Sequence, residues 1–541
     1  MLPCVIFEDD HLLAVNKPAG WNTHAPSPYA GEGIYDWLRN REPRWAALAI
    51  IHRLDKETSG VLVFGKSPLA NRSLTEQFTR REVRKSYLLL TDRSVPRKTM
   101  TIKSSLARVG DKYASRSSGE PAETRFLPAG PLAAQIPLPS SASPFFAWEV
   151  EPLTGRTHQI RVQAAESGFP ILGDTLYGGT PAARVFLHAR DIRFKHPATG
   201  GPVHLSAPAD FAADARLTLR AAIIEPGETD AYRLIHGASD GWPGWFVDRL
   251  GRFLLSQSDA PLTRPQLDEL ERLRDAFPAE GAYHKILSRQ VRRSTTAQAS
   301  PQLALGSPAS GPFTVIENGA RYEMSFSEGY STGLFLDQRD NRRRLMALCQ
   351  KSPASPGAVQ TAGGSIEVLN VFAYTCGFSV CAAKAGARAT SLDLSKKYLE
   401  WGRRNFALNG LDPGQHDFIY GDAFDWLRRL AKKGRAFDLV VLDPPTFSQS
   451  KESGVFRVEA DYGDLVVSAA QVLKPRGRLF VSANTTGWPP EEFVTSVRAA
   501  LRKSRRDVAE EQYYPQPPDF PISRAEPAYL KTMWLRAETG R

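Results

Sequence analysis

Apolar and polar positions change period several times in the first hundred residues, which predicts a mixture of strands and helices. The stretch VIFEDDHLLAVNKPAG, residues 5–20, clusters its apolar residues and then breaks at Lys17-Pro18-Ala19-Gly20. That break is typical of a strand that runs into a turn. An arginine-rich helical stretch, residues 69–83, then leads into the strand-like run Lys85–Leu90.

A regular alternation of strand and helix patterns begins after residue 320 and predicts a parallel sheet built from βα units. Glu367–Ala373 is an apolar run typical of a buried strand, and it ends in the turn Tyr374–Phe378. The next predicted strand ends at Asp393, and the helix after it stops at Asn409-Gly410. An acidic residue at the end of the second strand is where this architecture binds ribose hydroxyls.

These patterns divide the chain into three predicted domains, residues 1–215, 225–300 and 313–541. In the middle domain glycine, proline and aromatic residues bracket strand-like runs, which indicates a small α+β connector. Two segments of biased composition, 128–143 and 295–312, are predicted to be a loop and a linker.

The composition limits the classes of protein that fit. A chain of 541 residues is too long for one core, and its net charge of +11 favours a polyanionic partner. Four cysteines without a CxxC pair are too few for a disulfide scaffold and predict no metal site. The sequence contains no run of about 18 apolar residues, so no membrane span is predicted. The N-terminus lacks a basic flank, so we expect no signal peptide and a cytoplasmic location.

The ten-residue stretch IHRLDKETSG, Ile51–Gly60, places Asp55 between Arg53 and Lys56. Neighbouring cations favour the ionised form of a carboxyl group, and an ionised aspartate can act as a nucleophile. The whole string resembles the catalytic loop of the RluA-type pseudouridine synthases, which carry a turn similar to Asn16–Gly20. The resemblance implies an α+β domain with a mixed or antiparallel sheet and Asp55 as a catalytic residue.

A second stretch, Leu153–Val162, resembles the TGRTHQIR motif of the same family. We expect Arg161, at the end of a buried strand, to pair with the carboxylate of Asp55 and orient it. The resemblance makes Tyr87 the aromatic residue that stacks on the target base. Many relatives begin with a small RNA-binding S4 domain, and we predict none here.

The implied reaction breaks the N-glycosidic bond of uridine, turns the uracil and rejoins it through C5. One carboxylate can act as the nucleophile, at the sugar or at the ring, and no metal or cofactor is required. The target must leave a helix to reach Asp55, which favours a flipped or single-stranded uridine. We expect His52 and His158 to be structural, because a lone histidine more often satisfies hydrogen bonds than it catalyses.

The last 230 residues lack the GxGxxG loop that the pyrophosphate of a dinucleotide requires. S-adenosylmethionine has no phosphate, so a looser turn followed by Asp393 and Asp422 fits this methyl donor better. In the stretch FDLVVLDPPTFSQSK, Phe437–Lys451, a strand ends in Asp443-Pro444-Pro445. That ending places a carboxylate and rigid carbonyls where a donor methyl and an acceptor base would meet.

This half resembles the RlmI and RlmK rRNA methyltransferases, and residues 225–300 resemble the central domain of the RlmI type. The resemblance implies a class I, Rossmann-like α/β domain that binds S-adenosylmethionine, with Gln338 or Arg339 near the donor. Asp443 is predicted to be catalytic as well as cofactor-binding. The predicted cofactor-binding residues are Tyr374, Thr375, Gly377, Asp393, Asp422, Asp443 and Gln338.

The acceptor atom depends on whether a thiolate is available. Methylation of cytosine C5 requires a thiolate to add at C6 first, and RlmI-type enzymes place that cysteine on the strand after the Asp-Pro-Pro loop. Here that strand, Val481–Thr486, has none, and we expect Cys376 and Cys381 to be small packing residues. The string DPPTFSQSK looks closest to the RlmK type, which favours guanine N7 or another base nitrogen; cytosine C5 remains an alternative.

Together the patterns predict a bifunctional RNA modification enzyme, and the positive charge suits this partner because phosphate contacts dominate such binding. Ribosomal RNA, free or in a ribosomal assembly intermediate, is favoured because the second half resembles rRNA enzymes. Two alternatives remain. One is an RNA-binding assembly factor with only the synthase site active, and the other is methylation of a protein side chain.

Overall fold

The computed structural model describes residues 2–96, 98–129, 137–138, 144–287, 295–350, 365–450 and 454–539. The chain divides into two compact units. The first comprises Met1–Pro26 and Glu32–Glu225, and the second comprises Ser27–Gly31 and Pro226–Arg541. Most of the loop predicted at 128–143 lies outside the described residues.

The first unit is an α+β fold built on a mixed sheet, as predicted. Its described strands are β1 (Val5–Glu8), β2 (Leu12–Lys17), β3 (Ala49–Ile50), β4 (Ser59–Gly65), β5 (Arg84–Thr91), β6 (Met100–Val109), β7 (Lys112–Ser115), β8 (Glu120–Pro128), β9 (Phe146–Pro152), β10 (Leu187–Lys195) and β11 (Pro202–Ser206). Its described α-helices are α1 (Ile34–Arg41), α2 (Pro68–Thr79), α3 (Gln159–Glu166) and α4 (Ala215–Ile223).

These strands join in the order β1-β2-β4-β10-β5-β9-β8-β6-β7, with β3 added to β4 and β11 to β10. The β4–β10 pair is parallel and the other described pairs are antiparallel. Every residue of β4 is buried, and its Val61 and Val63 pack with Leu12 of β2 and Leu74 of α2. The central strand that follows the Asp55 loop is therefore rigidly held.

Arg161 lies in helix α3 and not at the end of a strand, so this part of the prediction is wrong. Strand β9 ends at Pro152, a turn follows, and the helix begins at Gln159. The six residues from Gln159 to Ala164 are all buried. A helix buried on all sides lacks the polar face that reveals a 3.6-residue period, and its apolar residues then look like those of a buried strand.

The second unit begins with a mixed sheet in the order β12-β13-β14-β15-β16 and a two-stranded hairpin, β17–β18. The elements are β12 (Ala231–His236), β13 (Trp245–Leu250), β14 (Phe253–Ser258), α5 (Arg264–Ala276), β15 (Gly281–Ile286), α6 (Thr296–Ala299), β16 (Gln302–Gly306), β17 (Phe313–Glu317) and β18 (Ala320–Met324).

Residues 295–312 were predicted to be a loop or linker of low complexity, and this is wrong for part of the segment. Thr295 and Gln298 form a capping box at the start of α6, and β16 pairs antiparallel with β15. Pairing with the preceding strand supplies hydrogen bonds that composition alone does not reveal.

A doubly wound sheet completes the second unit, as predicted. The described elements are α7 (Arg339–Cys349), β19 (Glu367–Val371), α8 (Gly377–Lys384), β20 (Arg388–Asp393), α9 (Lys396–Leu408), β21 (Asp417–Tyr420), α10 (Ala423–Lys432), β22 (Phe437–Leu442), β23 (Phe447–Ser450), β24 (Gly454–Arg457), α11 (Val458–Ala470), β25 (Leu473–Asn484), α12 (Pro490–Lys503), β26 (Arg506–Pro515) and β27 (Leu530–Thr539).

The strand order of this sheet is β21-β20-β19-β22-β25-β27-β26. The first five strands are parallel and β27 is antiparallel to both of its neighbours. Consecutive residues of β19 point to opposite faces of the sheet, so that Val368 packs in one hydrophobic core and Leu369 in another. The order reverses between β19 and β22, and ligands of such sheets bind at the carboxyl ends of the strands at this switch point.

Candidate active sites

The loop that carries Asp55 is fastened to the turn after β2 by a buried lysine. The Lys17 ammonium donates hydrogen bonds to the carbonyl oxygens of Pro18 (2.9 Å), Trp21 (2.6 Å) and Lys56 (3.2 Å). Its side chain is fully buried, and burial lowers the pKa of Lys17 to about 7. Lys17 was predicted only as part of the turn, and the structure reveals its connection to the loop.

The end of the same loop depends on a close approach of two parallel strands. Gly60 of β4 has a φ of +118° and pairs with Ala189 of β10. A Cβ atom placed on Gly60 would lie 2.1 Å from the carbonyl oxygen of Ala189. Glycine is therefore required at this position for both its conformation and its lack of a side chain.

Arg161 faces Asp55 but makes its short bonds to two other acids. Its guanidinium donates to both carboxylate oxygens of Asp174, at 2.7 and 2.8 Å, and to Glu57 at 3.0 Å. The distance from Arg161 Nη1 to Asp55 Oδ2 is 3.9 Å. The two predicted residues are thus adjacent, and Asp174 and Glu57, which were not predicted as site residues, hold the arginine.

The ionisation of Asp55 is set by burial and by cations from distant parts of the chain. Burial raises its pKa, and interactions with His158 and the Arg161 guanidinium oppose this increase. We expected Arg53 and Lys56 to keep the carboxyl ionised, which is wrong, because both side chains are exposed.

Asp55 opens into a small cavity of about 90 Å³ that Tyr87 also lines. Tyr87 is buried on β5, and burial together with the nearby Asp55 carboxyl raises the pKa of its phenol, which stays neutral. The structure therefore brings together the predicted residues Asp55, Tyr87 and Arg161. Further lining residues are Arg53, Thr58, Lys85, Thr154, Arg156, His158 and Gln159.

The two histidines of the motifs have different surroundings. His52 accepts a hydrogen bond from the amide of Val63 at 3.1 Å and stacks on Phe78. Burial lowers the pKa of His52 to about 3, so it is neutral. His158 lies 2.8 Å from the Tyr177 hydroxyl through Nδ1 and lines the cavity. It therefore contributes to the electrostatics of Asp55 as well as to local hydrogen bonding.

A larger cavity, of about 450 Å³, lies at the switch point of the doubly wound sheet. The turn after β19 that borders it holds three non-glycine residues at positive φ, Phe372 (61°), Tyr374 (50°) and Cys376 (65°). The amide of Tyr374 donates to the Asp393 carboxylate at 2.8 Å. Backbone strain of this kind is typical of ligand-binding turns.

Most of the predicted cofactor-binding residues line this cavity, namely Tyr374, Asp393, Asp422, Asp443 and Gln338. The two others, Thr375 and Gly377, do not line it. Thr375 is fully buried, with its hydroxyl on the Gly333 carbonyl. Thr375 and Gly377 lie on the side of the turn that faces away from the cavity, because the strained backbone directs alternate residues to opposite sides.

Two of the acids stand at one end of the cavity. Asp393 follows β20, accepts amide hydrogen bonds from Tyr374 and Ser395 at 2.8 Å each, and has its pKa raised to about 6 by burial. Asp422 caps α10 by accepting from the Asp425 amide at 3.1 Å. Carboxylates at the ends of these strands can accept hydrogen bonds from ribose hydroxyls and an exocyclic amine.

The third acid, Asp443, is held by a chain of amide side chains. The Gln338 amide donates to Asp443 at 3.0 Å and to the Ser482 hydroxyl at 2.8 Å, and the Gln338 oxygen accepts from Asn341 at 2.8 Å. Burial raises the pKa of Asp443 to about 6. Arg339, the alternative to Gln338, instead forms a buried ion pair with Asp519.

The end of the cavity beside Asp443 suits a flat acceptor. Pro444, Pro445 and Thr446 follow Asp443 in the cavity lining, which elsewhere includes two exposed aromatic residues, Tyr330 (46% exposed) and Phe335 (54%). Exposed aromatic rings in the lining of such a cavity can stack on an unpaired base. The cavity thus combines acids that fit an adenosyl group with a neighbouring place for a planar ring.

The four cysteines are buried, and none lines the cavity at the switch point. Burial raises the pKa of Cys376 to about 12 and that of Cys381 to about 11. They are packing residues, as predicted. Within the described ranges, no cluster of three His, Cys, Asp or Glu side chains could hold a metal ion, and no helix is long and apolar enough to cross a membrane.

Comparison with known proteins assigns both halves to families. Residues 11–166 match the family described as RNA pseudouridylate synthase, and residues 233–536 match that described as S-adenosylmethionine-dependent methyltransferase. The chain is 34% identical to a ribosomal RNA large subunit methyltransferase of Deinococcus radiodurans, over 64% of this chain and 83% of that protein. It is 33% identical to ribosomal RNA large subunit methyltransferase I of Aeromonas salmonicida, over 57% and 74%.

A similar fold is found in a crystal structure described as a methyltransferase complexed with SAH. The identity is 24%, the TM-score is 0.50, and the match covers 70% of this chain and 98% of that one. The match to the methyltransferase family covers more than half of the chain, and the predicted donor-binding acids share one cavity. The chain therefore belongs to the S-adenosylmethionine-dependent methyltransferases, joined to an N-terminal region of the RNA pseudouridylate synthase family.

Proposed function

We propose that this chain is a bifunctional RNA modification enzyme that converts uridine to pseudouridine at Asp55 and methylates a base nitrogen beside Asp443. The observation that carries the proposal is that each family match contains a cavity with its own chemistry. One pairs a carboxyl with a buried tyrosine and an arginine. The other pairs three acids with a strand-ending Asp-Pro-Pro.

In the first cavity Asp55 is the nucleophile and Tyr87 supports the detached ring. Base–aromatic stacking is worth about 1–3 kcal/mol and tolerates any orientation of the ring in its plane, so uracil can turn while it is held. Arg161, fixed by Asp174 and Glu57, favours the ionised Asp55 that attacks. The small volume favours a single extruded nucleotide.

In the second cavity S-adenosylmethionine supplies an electrophilic methyl group when it is bound. Asp393 and Asp422 would accept hydrogen bonds from the adenosyl group, while Gln338 and Asp443 define the end nearest the acceptor. Exclusion of water and a fixed approach angle are the contributions that such a site makes to methyl transfer.

A base nitrogen, with guanine N7 favoured, is the proposed acceptor. Methylation of cytosine C5 needs a thiolate, but the four cysteines are buried, have raised pKa values and lie away from the cavity lining. Guanine N7 carries its own lone pair and needs only to be positioned.

Large-subunit ribosomal RNA is the proposed substrate, free or within an assembly intermediate, because the relatives that match more than half of this chain are named for it. The net charge of +11 supports a polyanionic partner. Because ribosomal RNA is modified where ribosomes are assembled, we infer a cytoplasmic location.

Nucleoside mass spectrometry on rRNA from a deletion strain tests the proposal. The strain is complemented with the wild type, Asp55→Ala or Asp443→Ala. We expect the first variant to lose one pseudouridine and keep a methylated base, and the second to show the reverse. If only pseudouridine changes, the C-terminal half is not a methyltransferase of rRNA, and a 5-methylcytosine product would overturn the nitrogen assignment.

A further inference from the structure

Lys85 presents a partly buried ammonium to the Asp55 cavity. It precedes Tyr87 by two residues on β5, so both side chains project from the same face of the strand, and both line the cavity. A Cβ atom placed on Gly155 would lie 3.6 Å from Lys85 Nζ. The ammonium therefore lies beside the turn that precedes α3.

No acid among the described residues forms an ion pair with this ammonium. Across the described part of the chain, Lys85 makes no side-chain hydrogen bond or ion pair; the ring of Phe78 lies 5.9 Å from Nζ. Burial lowers the pKa of Lys85 to about 8, so the ammonium is still largely protonated at neutral pH. A desolvated charge without a partner is unfavourable in the free protein, and a ligand that carries negative charge would supply the missing partner.

The position of Lys85 favours a partner on the base over one on the RNA backbone. Arg53 and Arg156 border the same cavity with exposed side chains and can meet phosphates at its mouth. Lys85 lies deeper, next to the residue on which the uracil would stack. An ammonium at this depth can reach a carbonyl oxygen at the edge of the ring.

We propose that Lys85 stabilises the negative charge that develops on uracil during isomerisation, an inference that rests on the proposed synthase activity. If Asp55 attacks C1′, a C1′–O bond forms while the N1–C1′ bond breaks, and its electron pair spreads over N1, O2 and O4 of the uracil. If Asp55 adds to C6, the C5–C6 π electrons move through C4 to O4. Both routes place charge on a carbonyl oxygen, to which the ammonium donates a hydrogen bond while keeping its proton.

The test compares Lys85→Met and Lys85→Arg with Lys103→Met on an rRNA transcript. Lys103 is 72% exposed and pairs with Glu123, so its variant controls for the loss of one surface charge. Removal of one preorganised hydrogen-bond donor lowers rates by about 100-fold. We expect Lys85→Met to lose this much in single-turnover rate with little change in RNA affinity, Lys85→Arg to lose less, and Lys103→Met to keep the wild-type rate.

A second transcript, with 5-fluorouridine in place of uridine, separates charge stabilisation from a structural role. Its readout is loss of the N1–C1′ bond, because a C5 that carries fluorine has no proton to lose and pseudouridine cannot form. Fluorine at C5 itself stabilises negative charge on the ring, so Lys85→Met should slow this transcript less than the uridine transcript. We expect the rate loss to be smaller by about tenfold, which is less than the full effect of removing one hydrogen-bond donor. A lysine that only supports the fold would slow the reaction of both transcripts equally.

The outcomes separate the inference from the function on which it rests. If the wild type forms no pseudouridine in any rRNA, the proposed function fails. If the wild type is active and Lys85→Met matches it, loses only RNA affinity, or slows both transcripts equally, the role of Lys85 is overturned. Thermal unfolding checks the folding of each variant, and Lys85→Gln replaces Lys85→Met if the latter does not fold.

Discussion

At the scale of single residues, the buried acids of the larger cavity lower the unfolding free energy of the protein when they are ionised, and the same ionised groups serve ligand binding. Asp443 has its pKa raised to about 6 by burial. An acid whose pKa is higher in the folded protein than in the unfolded chain destabilises the fold once it ionises, so this penalty is absent below about pH 4 and is fully present above about pH 6.

Asp443→Asn should therefore stabilise the protein while it weakens the site. One pKa unit corresponds to about 1.4 kcal/mol, and we expect the unfolding free energy at pH 7.5 to rise by about 1 kcal/mol. The gain should vanish near pH 4. Denaturant unfolding at the two pH values measures this, and a variant that is less stable than the wild type at pH 7.5 would contradict the prediction.

The affinity for S-adenosylmethionine should also depend on pH. Asp443 and Asp393 both have pKa values raised to about 6 by burial, and their ionised forms favour a ligand with a positive sulfonium. We expect Kd to rise by about tenfold, or 1.4 kcal/mol, between pH 7.5 and pH 5. Calorimetry with SAH, which lacks the positive charge, is the control and should show a smaller change; equal changes would refute the role of charge.

At the scale of elements, the parallel pairing of β4 and β10 fixes the end of the Asp55 loop, and one glycine permits it. Gly60→Ala combines a positive φ with a Cβ atom placed 2.1 Å from a backbone oxygen. Gly110 is a matched control, since it also has a positive φ (61°) but open space around its Cα.

We expect Gly110→Ala to lower the unfolding free energy by about 1 kcal/mol, the cost of left-handed backbone for a residue with a Cβ atom. Gly60→Ala should lower it by more than about 3 kcal/mol, because backbone must also move. Denaturant unfolding of both variants gives the difference. Equal losses would mean that the β4–β10 contact is not tight.

The elements themselves were largely predictable where their periodicity was regular. The βα repeat after residue 320 predicted the doubly wound sheet, and the strand before Asp443 was placed correctly. Helix α3, which carries Arg161, was predicted to be a strand, because burial on all sides removes the amphipathic signal. The pairing of β16 was also missed, since it depends on backbone hydrogen bonds to the preceding strand β15 that composition does not reveal.

At the scale of the whole molecule, both proposed reactions use the same polyanionic partner. Phosphate contacts make RNA affinity fall linearly with the logarithm of salt concentration. We expect pseudouridine formation and methylation to weaken together as KCl rises, by about 10-fold or more between 50 and 200 mM for several phosphate contacts. SAH affinity, measured in the same buffers, should change little, and a salt-independent methylation reaction would favour an acceptor other than RNA.

The sequence by itself determined the two family memberships, because Asp55 and Asp443 stand in contiguous motifs of distinctive residue types. It also predicted Tyr87 and Arg161 as site residues through the resemblance of their motifs, and Asp393 because it ends a predicted strand.

Only the tertiary structure decided how these groups are tuned. Hydrogen bonds from Lys17 fasten the Asp55 loop, Asp174 accepts hydrogen bonds from Arg161, and Gln338 donates one to Asp443. It also reversed the expected effect on Asp55, because Arg53 and Lys56 project into solvent while burial raises its pKa. Ionisation depends on burial and on charges brought close by folding, and neither quantity is encoded by neighbours along the chain.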